Sequence, residues 1–146
     1  PRFLTLLSLT ALLLTAMTGA ITALGDTLFP ATSLAEGLAQ YLSRTAQLLV
    51  QLRFFHPLVA IGAGLLWIHL AQRMRRVAPA DSRAALWATW TIWLVLAQFA
   101  IGLATLAFLA PVPLQLLHLL GADLVWIASV LLVDAGRRDA LHGLPG

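Results

Sequence analysis

The sequence predicts an all-α membrane protein, a four-helix transmembrane bundle forming a single domain over residues 1–146. Three observations predict it. Four apolar runs each approach the roughly 20 residues a bilayer needs. Only 10% of the residues are charged and 60% are hydrophobic, where a soluble domain carries roughly 25% charged residues. The arginines stand at the ends of the apolar runs, the pattern that sets topology in a membrane.

The runs fall at about 3–24, 48–70, 84–109 and 114–133. The first has features of a secretory signal, with Arg2 before it and Thr18-Gly19-Ala20 near a cleavage position. It is too long for one, and three more spans follow. An outer loop over 26–47 separates the first two runs. Within it Ser33-Leu34-Ala35-Glu36 is a capping-box pattern. Leu34, Leu38 and Leu42 then recur every four residues, so a short amphipathic helix at the interface is expected. The second connection, 72–83, is basic and holds Pro79, and the third is a tight turn around Pro111 and Pro113. After Val133 the tail is polar. The chain starts at Pro1 rather than Met, which suggests a processed product or a piece of something longer.

Arg2, Arg73, Arg75, Arg76, Arg83, Arg137 and Arg138 fall on one side of the four spans, and only Arg44 and Arg53 on the other. The positive-inside rule therefore puts the termini in the cytoplasm and the 26–47 loop outside. A net charge of +3 with this distribution indicates membrane topology and membrane lipid, with no nucleic acid as partner. The chain has no cysteine. That excludes a disulfide, a thiolate metal site and a cysteine nucleophile.

Of the four histidines, His56 stands near the outer end of the second span and His118 near the outer start of the fourth. Both helices run inward, so the two imidazoles share a depth. That arrangement suits two axial ligands holding one planar iron porphyrin between helices. Ala60, Ala63 and Gly64 follow His56, and Gly121, Ala122 and Val125 follow His118. Small residues there leave room for a flat ring, or let the helices approach closely. Arg53, one turn outward of His56, is placed for a haem propionate or for snorkelling to the interface. Gln115, three residues before His118, shares its face and can orient haem or ligand. Pro57 removes the N–H that would serve the Arg53 carbonyl. His69 lies about 20 Å deeper, and no histidine stands near Leu131 to pair with it. A second haem is therefore not expected. His142 falls in the tail. Asp123, an acid within the fourth span, is a functional or hydrogen-bonding candidate, with Gln98 one possible partner. The tryptophans at 67, 87, 90, 93 and 126 are expected in interfacial belts and packing.

Several strings together carry a family likeness. They are Gly19-Ala20, Gly25-Asp26-Thr27-Leu28-Phe29-Pro30, Arg53-Phe54-Phe55-His56-Pro57, Gln115-Leu116-Leu117-His118-Leu119 and Ala122-Asp123-Leu124-Val125-Trp126. In this order and spacing the chain resembles the C-terminal half of the haem A synthases, the CtaA/Cox15 group. The resemblance implies one half of an eight-helix pseudo-twofold fold. It implies haem b held by His56 and His118, with haem O as the complete enzyme's substrate and haem A as its product. The reaction oxidises a methyl of haem O to formyl, and haem A serves cytochrome c oxidase. In the family's catalytic half a Glu-x-x-His pattern precedes the ligand, and here the matching place is Arg53. No catalytic residue is therefore assigned in this chain. The expectation is a haem-holding, electron-transferring segment of an oxidoreductase in a bacterial or archaeal plasma membrane, with the haem near the outer face. A missing N-terminal four-helix half, or a homo-oligomer partner, would complete it. Two other readings stay open: a stand-alone bis-histidine b-type cytochrome, and a haem-free helical scaffold.

Overall fold

The computed structural model describes residues 2–42 and 48–142; the side chains of residues 2, 38, 41, 42, 48–54 and 140–142 lie outside that description. Five helices follow in order: α1 (Arg2–Leu28), α2 (Leu34–Leu42), α3 (Leu48–Val77), α4 (Arg83–Ala107) and α5 (Val112–His142). Within them Phe3–Leu28, Phe55–Val77, Arg83–Ala107 and Val112–Asp139 are long and apolar enough to cross a membrane. The chain is an all-α, four-helix transmembrane protein, as its apolar runs predict.

Lipid offers no partner to a polar group, so each hydroxyl must find one inside the protein. Along α1 the threonines and Ser8 do so locally. Ser8, Thr15, Thr18, Thr22 and Thr27 each donate to the carbonyl four residues back, at 2.8 to 3.0 Å. At α2 the Ser33 hydroxyl accepts from the Glu36 N–H at 3.1 Å. Glu36 turns back to Thr32, accepting from its N–H and its hydroxyl. The capping box therefore closes on Thr32 rather than Ser33. Ser82 caps α4, its hydroxyl accepting from Ala85 N–H at 3.2 Å.

The connection between α4 and α5 turns through two left-handed residues, Leu109 (φ 60°) and Ala110 (φ 53°). Neither is glycine, so each carries the steric cost of its Cβ. Hydrogen bonds hold the turn. Ala110 N–H donates to Thr105 O at 2.7 Å, and Gln115 Nε2 donates to Ala110 O. Pro113 then sits in the first turn of α5, where its missing N–H costs nothing.

Two helices run further than the apolar pattern predicts. α3 continues to Val77 and α5 through the polar tail to His142. Their C-terminal ends support each other: Ala135 is buried, and Gly136 lies so close to Met74 that a Cβ there would fall 2.3 Å from its Cε. On the exposed side Arg138 Nε donates to Asp134 Oδ2 at 2.8 Å, one turn away. A tail that looks like a loop by composition is helical because α3 gives it a surface.

α1 packs on α3, α3 on α4 and α4 on α5, while α1 and α5 meet sparsely. The core is confined to the half of the bundle remote from α2. Its buried members are Ala63, Gly64, Trp67, Leu70 and Ala71 on α3, Ala84 to Val95 at helical spacing on α4, and Val125 to Ala135 on α5. None of residues 55–62 or 96–122 is buried.

Candidate functional site

His56 and His118 both stand in the loosely packed half, on helices that run in the same direction. Their level is fixed by a second contact. Met74 meets Gly136, and the pairs 74/136 and 56/118 have the same offset along α3 and α5, so the two imidazoles lie at one depth.

Each ring lies against a glycine of the helix antiparallel to its own. A Cβ on Gly19 of α1 would fall 3.0 Å from His56 Cε1. A Cβ on Gly102 of α4 would fall 3.2 Å from His118 Cε1. Real Cβ atoms are seldom so close, so these glycines are what lets the Cε1 edges of the rings approach the neighbouring helices. The surroundings repeat: Gly19-Ala20-Ile21-Thr22 on α1 and Gly102-Leu103-Ala104-Thr105 on α4 share a Gly-x-x-Thr pattern. Thr22 and Thr105 each donate back to the carbonyl preceding that glycine.

The His56 ring is held at Nδ1, 3.1 Å from the Thr18 hydroxyl. The other ring is anchored through its backbone. Gln98 Nε2 donates to His118 O at 2.8 Å, while His118 Nδ1 and Gln98 Oε1 are both buried with no hydrogen-bond partner. Gly121 makes room for Gln98, since a Cβ there would fall 2.9 Å from Oε1.

The small residues after each histidine prove to have separate tasks. Gly64 admits the Phe99 ring, a Cβ there falling 2.3 Å from its Cζ, and Gly121 admits the Gln98 amide. The close-approach reading fits both glycines. Gln115 spends its Nε2 on the turn carbonyl of Ala110. Arg53 falls in α3 at a position whose side chain is outside the described residues. His142 ends α5, its side chain likewise outside them. Asp123 is exposed on α5, and the Gln98 amide goes to His118 rather than to it. His69 is exposed on α3, away from the pair.

Trp67, expected from the sequence in a belt or in packing, is a packing residue. It is 0% exposed, and its Nε1 donates to Ser8 O at 2.9 Å. Trp67 stands eleven residues past His56, as Ser8 stands eleven before Gly19. The same step from Gly102 and His118 reaches Thr91 and Ser129. All four are fully buried and stand three turns, about 16 Å, along their helices from the level of the histidines; the Thr91 and Ser129 hydroxyls have no hydrogen-bond partner. The three-turn spacing from His56 was the available signal for this level.

Among the described residues no three His, Asp or Glu side chains cluster as a metal-ion site. A pair of imidazoles at one level, each backed by glycine, fits instead the two axial positions of a planar iron porphyrin.

Residues 1–130 match the COX15-CtaA family, described as cytochrome oxidase assembly protein. Two curated proteins called protoheme IX farnesyltransferase, from two strains of Thermus thermophilus, are 41% and 40% identical to the chain over 129 residues. The alignment covers 88% of this chain but 21% of each relative, so the chain spans about a fifth of their length. No solved structure matches.

Proposed function

Because the chain belongs to the COX15-CtaA family of cytochrome oxidase assembly proteins, we propose that it holds haem b between His56 and His118 and passes electrons in haem A biosynthesis. The observation that supports this most directly is the matched level of the two imidazoles, each against a glycine of the neighbouring helix. Bound there, the haem would supply a one-electron couple near the outer face of the membrane. The chain's own residues do the rest. His56 and His118 ligate, Gly19 and Gly102 make room for the ring edges, and Thr18 holds the first ring in place. Arg53, one turn outward of His56, supplies a guanidinium for a propionate.

Methyl oxidation of haem O is assigned to a second four-helix half, from a longer polypeptide or another copy. Arg53 occupies the place that corresponds to the glutamate of the family's catalytic half, and a guanidinium stays protonated and cannot act as a base. The relatives' name refers to farnesyl transfer to protohaem, a neighbouring step on the same tetrapyrrole, so both likenesses point to haem modification.

The purified protein should show a low-spin b-type spectrum. His56→Ala or His118→Ala should weaken haem retention or turn the iron high-spin, and His69→Ala should leave the spectrum unchanged. Arg53→Ala should weaken retention, with partial recovery in Arg53→Lys, which keeps the charge but not the fork. Supplied with haem O and a reductant, the chain alone should form no haem A. A wild-type spectrum in His118→Ala would refute the paired ligation, and haem A formation would refute the division of labour.

A further inference from the structure

We propose that Thr18 and Gln98 are the positioning residues of the two histidines, fixing both rings as Nδ1–H tautomers that present Nε2 to one shared centre. The inference rests on the haem reading for its centre, but its hydrogen-bond logic stands on the protein alone.

The Thr18 hydroxyl has one hydrogen. In the proposed arrangement that hydrogen goes to the Leu14 or Thr15 carbonyl, 2.9 and 3.0 Å from Oγ1. Toward His56 Nδ1, at 3.1 Å, the hydroxyl can then only accept. Nδ1 must carry the proton, and a neutral ring protonated at Nδ1 keeps its lone pair on Nε2. The helical hydroxyl of Thr18 therefore does more than satisfy itself within α1: it selects which nitrogen of His56 is free to bind a metal.

On the other side the parts are the same but not yet joined. His118 Nδ1 and Gln98 Oε1 are both buried and both without a partner; with the proton on Nδ1 they are a donor and an acceptor. The Gln98 amide already touches this residue, its Nε2 donating to His118 O at 2.8 Å. An amide carries its oxygen beside its nitrogen. With Oε1 turned to Nδ1–H, one side chain would hold His118 twice, Nε2 on the backbone carbonyl and Oε1 on the ring. Two complementary orphans in one place cost more apart than together. Gly121 keeps the space for that amide open. Metal-bound histidines usually donate their second N–H in this way, which orients the ring and raises its basicity.

The test uses the full chain with 15N-labelled histidine. In the haem-free protein, ring nitrogen shifts should show His56 and His118 as Nδ1–H tautomers. Thr18→Val keeps the shape and removes the acceptor; it should erase the preference at His56, and Thr18→Ser should restore it. Gln98→Leu should do the same at His118, with Gln98→Glu restoring an acceptor. In the haem-loaded protein, Thr18→Val and Gln98→Leu should each lower haem affinity about 10- to 100-fold. They should also raise the midpoint potential, since a less basic ligand stabilises ferric iron less. Absence of a Soret band in the wild type would remove the haem reading and leave the tautomer arm to be decided by the shifts. Unchanged shifts in both Thr18→Val and Gln98→Leu, or an Nε2–H tautomer at either ring in the parent protein, would overturn the proposal.

Discussion

At the scale of single residues, the site depends on atoms that are absent from two side chains. Gly19 and Gly102 each leave the space a Cβ would take against a histidine Cε1, at 3.0 and 3.2 Å. Gly19→Ala and Gly102→Ala should therefore tilt one ring each and reduce haem retention, while costing the helices nothing, because alanine is the better helix former by about 1 kcal/mol. Spectrophotometric haem titration alongside thermal unfolding would show affinity falling without loss of stability. Affinity unchanged in both variants would remove the glycines from the site. The histidines were legible in the sequence because depth along a helix follows from counting residues at a fixed rise. Their glycines were not, since Gly19 and His56 are brought together only by the register between α1 and α3, which hydropathy does not encode. The partner of Trp67 was hidden for the same reason: a tryptophan in an apolar run reads as belt or packing until its neighbour on α1 is known.

Elements end where local chemistry stops them, and two ends make testable claims. Ala110 holds φ 53°, a conformation that favours glycine. Ala110→Gly should stabilise the turn into α5 by about 1 kcal/mol, read as a higher unfolding midpoint in detergent. A lower midpoint would show that the turn is held by something other than its backbone. At α2 the Thr32 hydroxyl and N–H beside Glu36 hold its carboxyl below the ordinary glutamate range. A carboxyl depressed in the folded state contributes its stability above the unfolded value, about 4.3. That contribution is lost as pH falls through the lower folded value. The 13Cα shifts of residues 34–37 should stay helical at neutral pH and move toward coil on acidification, and Glu36→Gln should remove that pH dependence. The capping box was readable in Ser33-Leu34-Ala35-Glu36. Its closure on Thr32 was not, because the box pattern specifies the spacing and not the partner. The helical tail of α5 was equally illegible, since its cause, Met74 against Gly136, is on another helix.

Over the whole molecule, charge and packing divide the bundle along the same axis. The densely packed half is the end that carries Arg73, Arg75, Arg76, Arg83, Arg137 and Arg138. Single cysteines placed at 30–33 should react with an impermeant reagent from outside, and those at 74–82 only after the membrane is opened; the chain has no native cysteine to confuse the assay. The reverse pattern would turn the protein over and put the histidines on the inner side. This much of the architecture was visible in the sequence, because apolar length and arginine placement are one-dimensional quantities.

The buried level of Ser8, Trp67, Thr91 and Ser129 has a consequence for assembly. A bundle packed densely there and loosely around the histidines resembles tongs, with the joint one three-turn step from the jaws. If haem binds as proposed, it would enter between arms already aligned, and loading would require bending rather than refolding.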